Sequence, residues 1–158
     1  MSTNVNTVKG LRTELENRLT NLCKLLKCDL VTLHLYDSEY EQLYLPIGIG
    51  LLESNRFYRS VPSMERVVGK IVRRRKVIIA DDAEHHPDMT GPFTHAEKNK
   101  SAGGFPIKNV KDEVLGVVFV SYRVPHKFED DEIEQIETWT NETAVFINTF
   151  ANYGLAGG

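Results

Sequence analysis

"KSAGGFPIKNVKDEVLGVVFVSY", Lys100–Tyr122, decides the fold. Ser101–Ile107 reads as a strand, and "KNVKDE" after it is a polar turn. Val114–Tyr122 is apolar at both alternating sets of positions, a pattern that belongs in the middle of a sheet with both faces covered. Gly103 and Gly104 fall inside the first of these strands. They let a ligand approach bare backbone or they mark a bulge, and both explanations are open.

Upstream, "KVIIA" (Lys76–Ala80) is a further short strand. Before it, Met64, Val67, Val68, Ile71 and Val72 recur at helical spacing behind Ser63, the expected N-cap. Arg66, Lys70, Arg73 and Arg74 take the other face. The run "RRRK" then sets positive charge where the helix dipole favours it, so it is a solvated helix end rather than a nucleic-acid patch.

Nearer the start, "LVTLHLY" (Leu30–Tyr36) alternates Val31, Leu33 and Leu35 with Thr32, His34 and Tyr36. "LYLPIGI" (Leu43–Ile49) follows after a turn, and Pro46 suits an edge strand or a bulge. Leu11, Leu15, Leu19, Leu22 and Leu26 make one stripe on a first helix of about five turns, N-capped near Asn6 or Thr7.

Past Tyr122, the acidic stretch "FEDDEIE" opens a last helix with its dipole matched. Ile133, Ile136, Thr140, Ala144 and Ile147 form one stripe on it. Trp139, Thr143, Phe146 and Phe150 form a second stripe, which needs a partner beyond the sheet. The first helix is the nearest partner and a second copy of the chain is the next. Large aromatics are seldom left exposed, and a homodimer through Trp139, Phe146, Phe150 and the first helix is expected.

The bulk numbers agree with one domain over residues 1–158, with a core at 11–150 and flexible ends at 1–6 and 152–158. The 158 residues are 41% hydrophobic and 26% charged, with a net charge of −3. Such a chain has no broad attraction for nucleic acid or an anionic membrane. Its apolar runs are too short to span a bilayer and its N-terminus lacks a signal-peptide core, so a cytoplasmic location is expected. Cys23 and Cys28, if both on one helix, are separated by a rise of roughly 7.5 Å, too far for an undistorted disulfide. Both are read as reduced and part-buried.

Three stretches together resemble the GAF domain family of small-molecule sensors. "VVGKIVRRRKVIIADDAEHHPDM" is similar to the family's helix–turn–strand segment ending in Asp. "KSAGGFPIKNVKDEVLGVVFVSY" resembles its Ser-, Pro- and Gly-marked hairpin, and "HKFEDDEIEQIETWTNETAVFI" its closing helix. The resemblance implies an α+β fold with an antiparallel central sheet of about five to six strands. It sets the terminal helices on one face and a ligand pocket under loops on the other. PAS, the other fold with this grammar, is shorter and less naturally framed by long amphipathic helices.

By position, Ala83–Lys100 is then a lid over the pocket, and the question is what chemistry it carries. His85, His86, Asp88, His95 and Asp81 offer metal ligands on paper, but adjacent histidines point apart and "HHPD" is a good solvated turn, so no metal site is expected. A covalent bilin is not expected, because the lid has no cysteine. The cyclic-nucleotide pattern is broken: Phe128 and Asp131–Glu132 are one residue too close, and Tyr122–Arg123 stand where Asn-Lys would be. Asn99–Lys100 comes too early and is set aside. Cyclic nucleotide, haem and small anion remain open as ligands.

The expected ligand-binding residues are Tyr36, Met64, Asp81, Phe93, His95, Ser101 and Gly103, with His34 joining them if its face points to the pocket. The expected function is a bacterial, non-enzymatic sensory domain. It binds a small ligand non-covalently and signals through its terminal helices within a larger signalling protein. The alternatives are a ligand-free dimerisation module and, third, a free methionine sulfoxide reductase, which the cysteine positions oppose.

Overall fold

The computed structural model describes residues 8–150, so the expected N-cap at Asn6 or Thr7 and both chain ends lie outside the described residues. The elements follow in the order α1 (Val8–Leu26), β1 (Leu30–Asp37), β2 (Gln42–Ile49), α2 (Ser54–Arg59), α3 (Val67–Arg74), β3 (Ile78–Ala80), α4 (Pro92–Ala96), β4 (Ser101–Lys108), β5 (Val114–Tyr122) and α5 (Asp130–Phe150). The strands form one antiparallel sheet in the order β2-β1-β5-β4-β3. The architecture is α+β, and β5 occupies the middle of the sheet as its doubly apolar pattern requires.

Strand alternation splits the core in two. Val31, Leu33, Leu35, Phe105, Val118 and Val120 face α1 and α5 and meet the buried leucines of α1. On the opposite face Val117 and Phe119 meet Val68, Ile71 and Val72 of α3. Gly104 lies on that second face. A Cβ there would come 2.4 Å from Ile71 Cδ1 and 2.6 Å from Phe119 Cε1, so the missing side chain admits both. Gly103 faces the helices instead, where a Cβ would come 2.9 Å from Phe105 Cε1 and 3.2 Å from Phe128 Cε2. The β4–β5 register runs unbroken through both glycines. They serve side-chain packing, neither a bulge nor, at Gly103, the approach of a ligand.

Three further expectations need correction. Helix α3 begins at Val67 with Arg66 as its N-cap residue. Ser63 instead closes a turn, its Oγ accepting from Glu65 N at 3.2 Å and its carbonyl from Arg66 N at 3.0 Å. Met64 belongs to that turn. Gly69 makes the turn fit, because a Cβ on it would sit 1.5 Å from Met64 O. Helix α2 carries one apolar anchor, Phe57, too few for a periodicity to announce it.

The cysteines are the third case. Helix α1 ends before Cys28, with Lys27 in the left-handed region, and the chain turns back on itself. The two sulfurs lie 3.6 Å apart as free thiols.

The second stripe of α5 finds its partner in α1 of the same chain. Trp139 Nε1 donates to Arg18 O at 3.0 Å, and the Arg18 guanidinium lies 4.8 Å from the centre of the Phe146 ring. Thr143 and Phe150 are buried. Among the described residues no helix is long and apolar enough to cross a membrane.

Candidate functional site

The face of the sheet opposite α1 and α5 carries a cavity of about 360 Å³. Its floor is Thr32 and His34 of β1, Phe119 and Ser121 of β5, and Ala102 of β4. Register brings these together: Thr32 stands opposite Phe119, and Ala102 opposite Ser121. Phe57 of α2 and Val67 and Val68 of α3 make the walls, and Met89–Thr94 with Asn99 make the roof.

The roof is built by the segment 83–100, which is folded rather than loose. Ala83 N donates to Lys100 O at 2.8 Å, and Lys100 N donates to Tyr122 O at 2.8 Å, so both ends are tied to the sheet. Ala83, Met89 and Thr94 are buried under it, and Lys70 of α3 pairs with Asp88. Glu97 is the main anchor. It is 1% exposed, and its carboxylate accepts from Leu52 N at 2.8 Å, Glu53 N at 2.9 Å and Arg123 Nη2 at 2.9 Å. A buried carboxylate with three donors, one of them cationic, is satisfied.

The floor, together with Asn99 of the roof, is different. Thr32 is 3% exposed, His34 5%, Asn99 2% and Ser121 2%. Among the described residues none of these side chains makes a hydrogen bond, and His34 Nε2 and Asn99 Oδ1 are wholly buried without a partner. Burial pushes the His34 imidazole down to about 4, so the ring is neutral at pH 7. Aromatic contacts run outward from it: His34 to Phe57 at 5.3 Å between centroids, and Phe57 to Phe93 at 6.2 Å.

Of the residues expected from sequence, Phe93 lines the cavity, and so does His34. The others lie elsewhere. Tyr36 and Met64 pack against α3 in the neighbouring apolar cluster. His95 points off the short helix α4 and is exposed. Gly103 is on the other face of the sheet, as above. Asp81 and Ser101 are structural pins: Ser101 Oγ donates to Asp81 O at 2.7 Å and accepts from His126 N at 2.8 Å, and Asp81 Oδ1 accepts from Phe128 N at 3.3 Å. They fasten the start of α5 to the sheet.

The lid histidines pair locally. His85 Nδ1 is 2.9 Å from Asp82 Oδ2, and His86 Nδ1 accepts from Asp88 N at 3.1 Å. No three His, Cys, Asp or Glu side chains converge among the described residues. Sequence reasoning missed Thr32, Asn99, Ser121 and the rim arginines Arg56 and Arg66. The available signal was polarity at alternate positions of strands otherwise buried, Thr32 in β1 and Ser121 in β5.

Comparison with known proteins gives one result by family and several by shape. The model of the GAF domain matches residues 10–147. The GAF domain of a phosphoenolpyruvate-protein phosphotransferase from Coxiella burnetii superposes with a TM-score of 0.80 at 23% identity, covering 96% of this chain and 90% of that one. The corresponding domain from Acinetobacter gives 0.73 at 20% identity, with 93% and 85% covered. A domain of a putative two-component sensor histidine kinase from Sinorhizobium meliloti 1021 gives 0.70 at 17%, with 93% and 94% covered. At these identities the likeness is one of fold. No curated protein matches the chain in sequence.

Proposed function

Because the chain belongs to the GAF domain family, we propose that it is a sensory, regulatory domain whose cavity takes up a small molecule without turning it over. One observation carries this reading: four polar side chains, each at most 5% exposed, share one cavity and have no protein partner. Buried polar groups left unpaired are costly, and a protein keeps them where water or a ligand completes them. The volume is within the range of small-molecule sites.

Transmission has a short route in this reading. Ser121 stands on the cavity floor, and the next residue, Tyr122, faces the helices. Its hydroxyl donates to Glu132 of α5 and lies 3.5 Å from the Leu26 carbonyl at the end of α1. Ala102 and Ser101 repeat the arrangement on β4, one residue toward the cavity and its neighbour toward His126. A ligand that shifts the ends of β4 and β5 therefore biases how α1 and α5 pack. Neither cysteine lines the cavity, which supports a sensory reading over the reductase one.

Native mass spectrometry of the purified chain tests the proposal together with an Ala102→Leu variant, which fills the floor. Wild-type protein is expected to carry, or to take up from a metabolite extract, a small molecule that the variant lacks. Equal behaviour of two folded proteins, with no uptake by either, overturns it.

A further inference from the structure

The rim and the floor of the cavity differ in charge. Asp88 is the one carboxylate among the cavity residues, and Lys70 already holds it. Two exposed cations are among the cavity residues, Arg56 on α2 and Arg66 before α3. Arg56 has a loose neighbour in Glu53, 3.9 Å away with both side chains half exposed. Arg66 makes no ion pair among the described residues, and its guanidinium is laid across Gly91 of the lid. A Cβ on Gly91 would come 2.9 Å from Arg66 Nη1, and the residue's φ of 152° also favours glycine. The lid thus has a glycine where the arginine crosses it.

The floor offers the opposite environment. Thr32, His34 and Ser121 of the floor and Asn99 of the roof are uncharged, and the buried carboxylate two residues before Asn99, Glu97, is fully engaged. A charged group set down there would lose its hydration and gain no counter-ion. The apolar lining around them is the rings of Phe57 in the wall, Phe119 in the floor and Phe93 in the roof, with Val67, Val68 and Met89. Flat rings pack such walls well.

We infer that the ligand is a small planar organic anion of the aromatic carboxylate kind, with an uncharged hydrogen-bonding end on His34 and Asn99 and its charged group between Arg56 and Arg66. This rests on the cavity being a ligand site. Polarity sets the orientation: the neutral end enters first, and the anion stays at the wet rim with two guanidinium forks to meet it.

The test is a matched panel added to the full chain and followed by amide chemical shifts and calorimetry. Benzoate, phenylacetate, 4-hydroxyphenylacetate and indole-3-acetate are each compared with the primary amide of the same skeleton, and tyramine supplies a cation. The acids are expected to perturb cavity residues and to bind about tenfold more tightly than their amides. An Arg56→Gln/Arg66→Gln variant is expected to shrink that ratio to about twofold or less while amide binding is kept. If amides or tyramine bind as tightly as the acids, the anion assignment fails and the ligand site stands. If no compound perturbs the cavity, the assignment fails, and the ligand site stands or falls separately on uptake from the metabolite extract.

Discussion

Glu97, a buried residue of the lid, accepts a hydrogen bond from Arg123 Nη2 at 2.9 Å while Arg123 Nε donates to the Glu97 carbonyl at 2.8 Å. One residue pair thus joins the lid to the end of the central strand. The same guanidinium also donates to Gly50 O at 2.9 Å, which draws in the end of β2. Glu97→Ala leaves a guanidinium and two amides without their acceptor. It is expected to cost about 3 kcal/mol in urea denaturation, and Glu97→Gln distinctly less because one oxygen acceptor remains. Equal, small losses in both variants would contradict this anchoring.

His34 gives a pH dependence with a definite sign. Its ordinary value is 6.5 and burial lowers it to about 4 in the folded protein. Between those limits the unfolded chain binds a proton that the native protein refuses. Its contribution to stability is therefore whole above pH 6.5 and is lost as the pH falls toward 4, amounting to about 3 kcal/mol at full extent. His34→Gln is expected to flatten this part of the stability profile measured between pH 7 and pH 4.5. An unchanged slope would mean that the imidazole titrates normally.

Gly69→Ala drives a methyl group into the Met64 carbonyl, since the Cβ position is 1.5 Å from that oxygen. The turn from Ser63 to Arg66 must move away from α3, and it carries one wall of the cavity. A loss of about 3 kcal/mol is expected, together with weaker uptake of whatever the wild-type cavity binds. Calorimetric unfolding and a binding assay on the same sample check both.

Cys28 illustrates slow chemistry in spite of close contact. Burial, and then the neighbouring Cys23, push its thiol well above the ordinary range. In the native protein at pH 8 iodoacetamide is expected to label Cys28 many times more slowly than in urea, because the thiolate is the reactive form. Peptide mass spectrometry after timed quenching reads the rate. Cys23→Ser is expected to relieve only the smaller part of the protection, because burial persists.

Much of the fold was legible because it rests on repetition. Five leucines of α1 recur in register, four of them buried and Leu26 partly so, and the doubly apolar Val114–Tyr122 sits in mid-sheet. Helix α2 has one buried anchor and no period to detect. The candidate site was harder for a physical reason. The residues chosen from the lid and the strand starts, Asp81, Ser101 and His95, are polar in the lid or at the end of a strand, where polarity is ordinary. The residues that line the floor are polar inside strands, where it is not, and only pairing register shows that Thr32, Ser121 and the lid's Asn99 converge.

The sheet's two borders carry a final consequence. At one border β2 has Pro46 and the positive φ of Leu45 opposite the register shift in β1, and at the other β3 is three residues long. A border without a continuous row of free amides and carbonyls is a poor template for another strand. Crowding many copies together, as on an array or at a membrane-tethered cluster, then leads to contact through helices and loops. Fibrous stacking by strand addition finds a poor template at both ends.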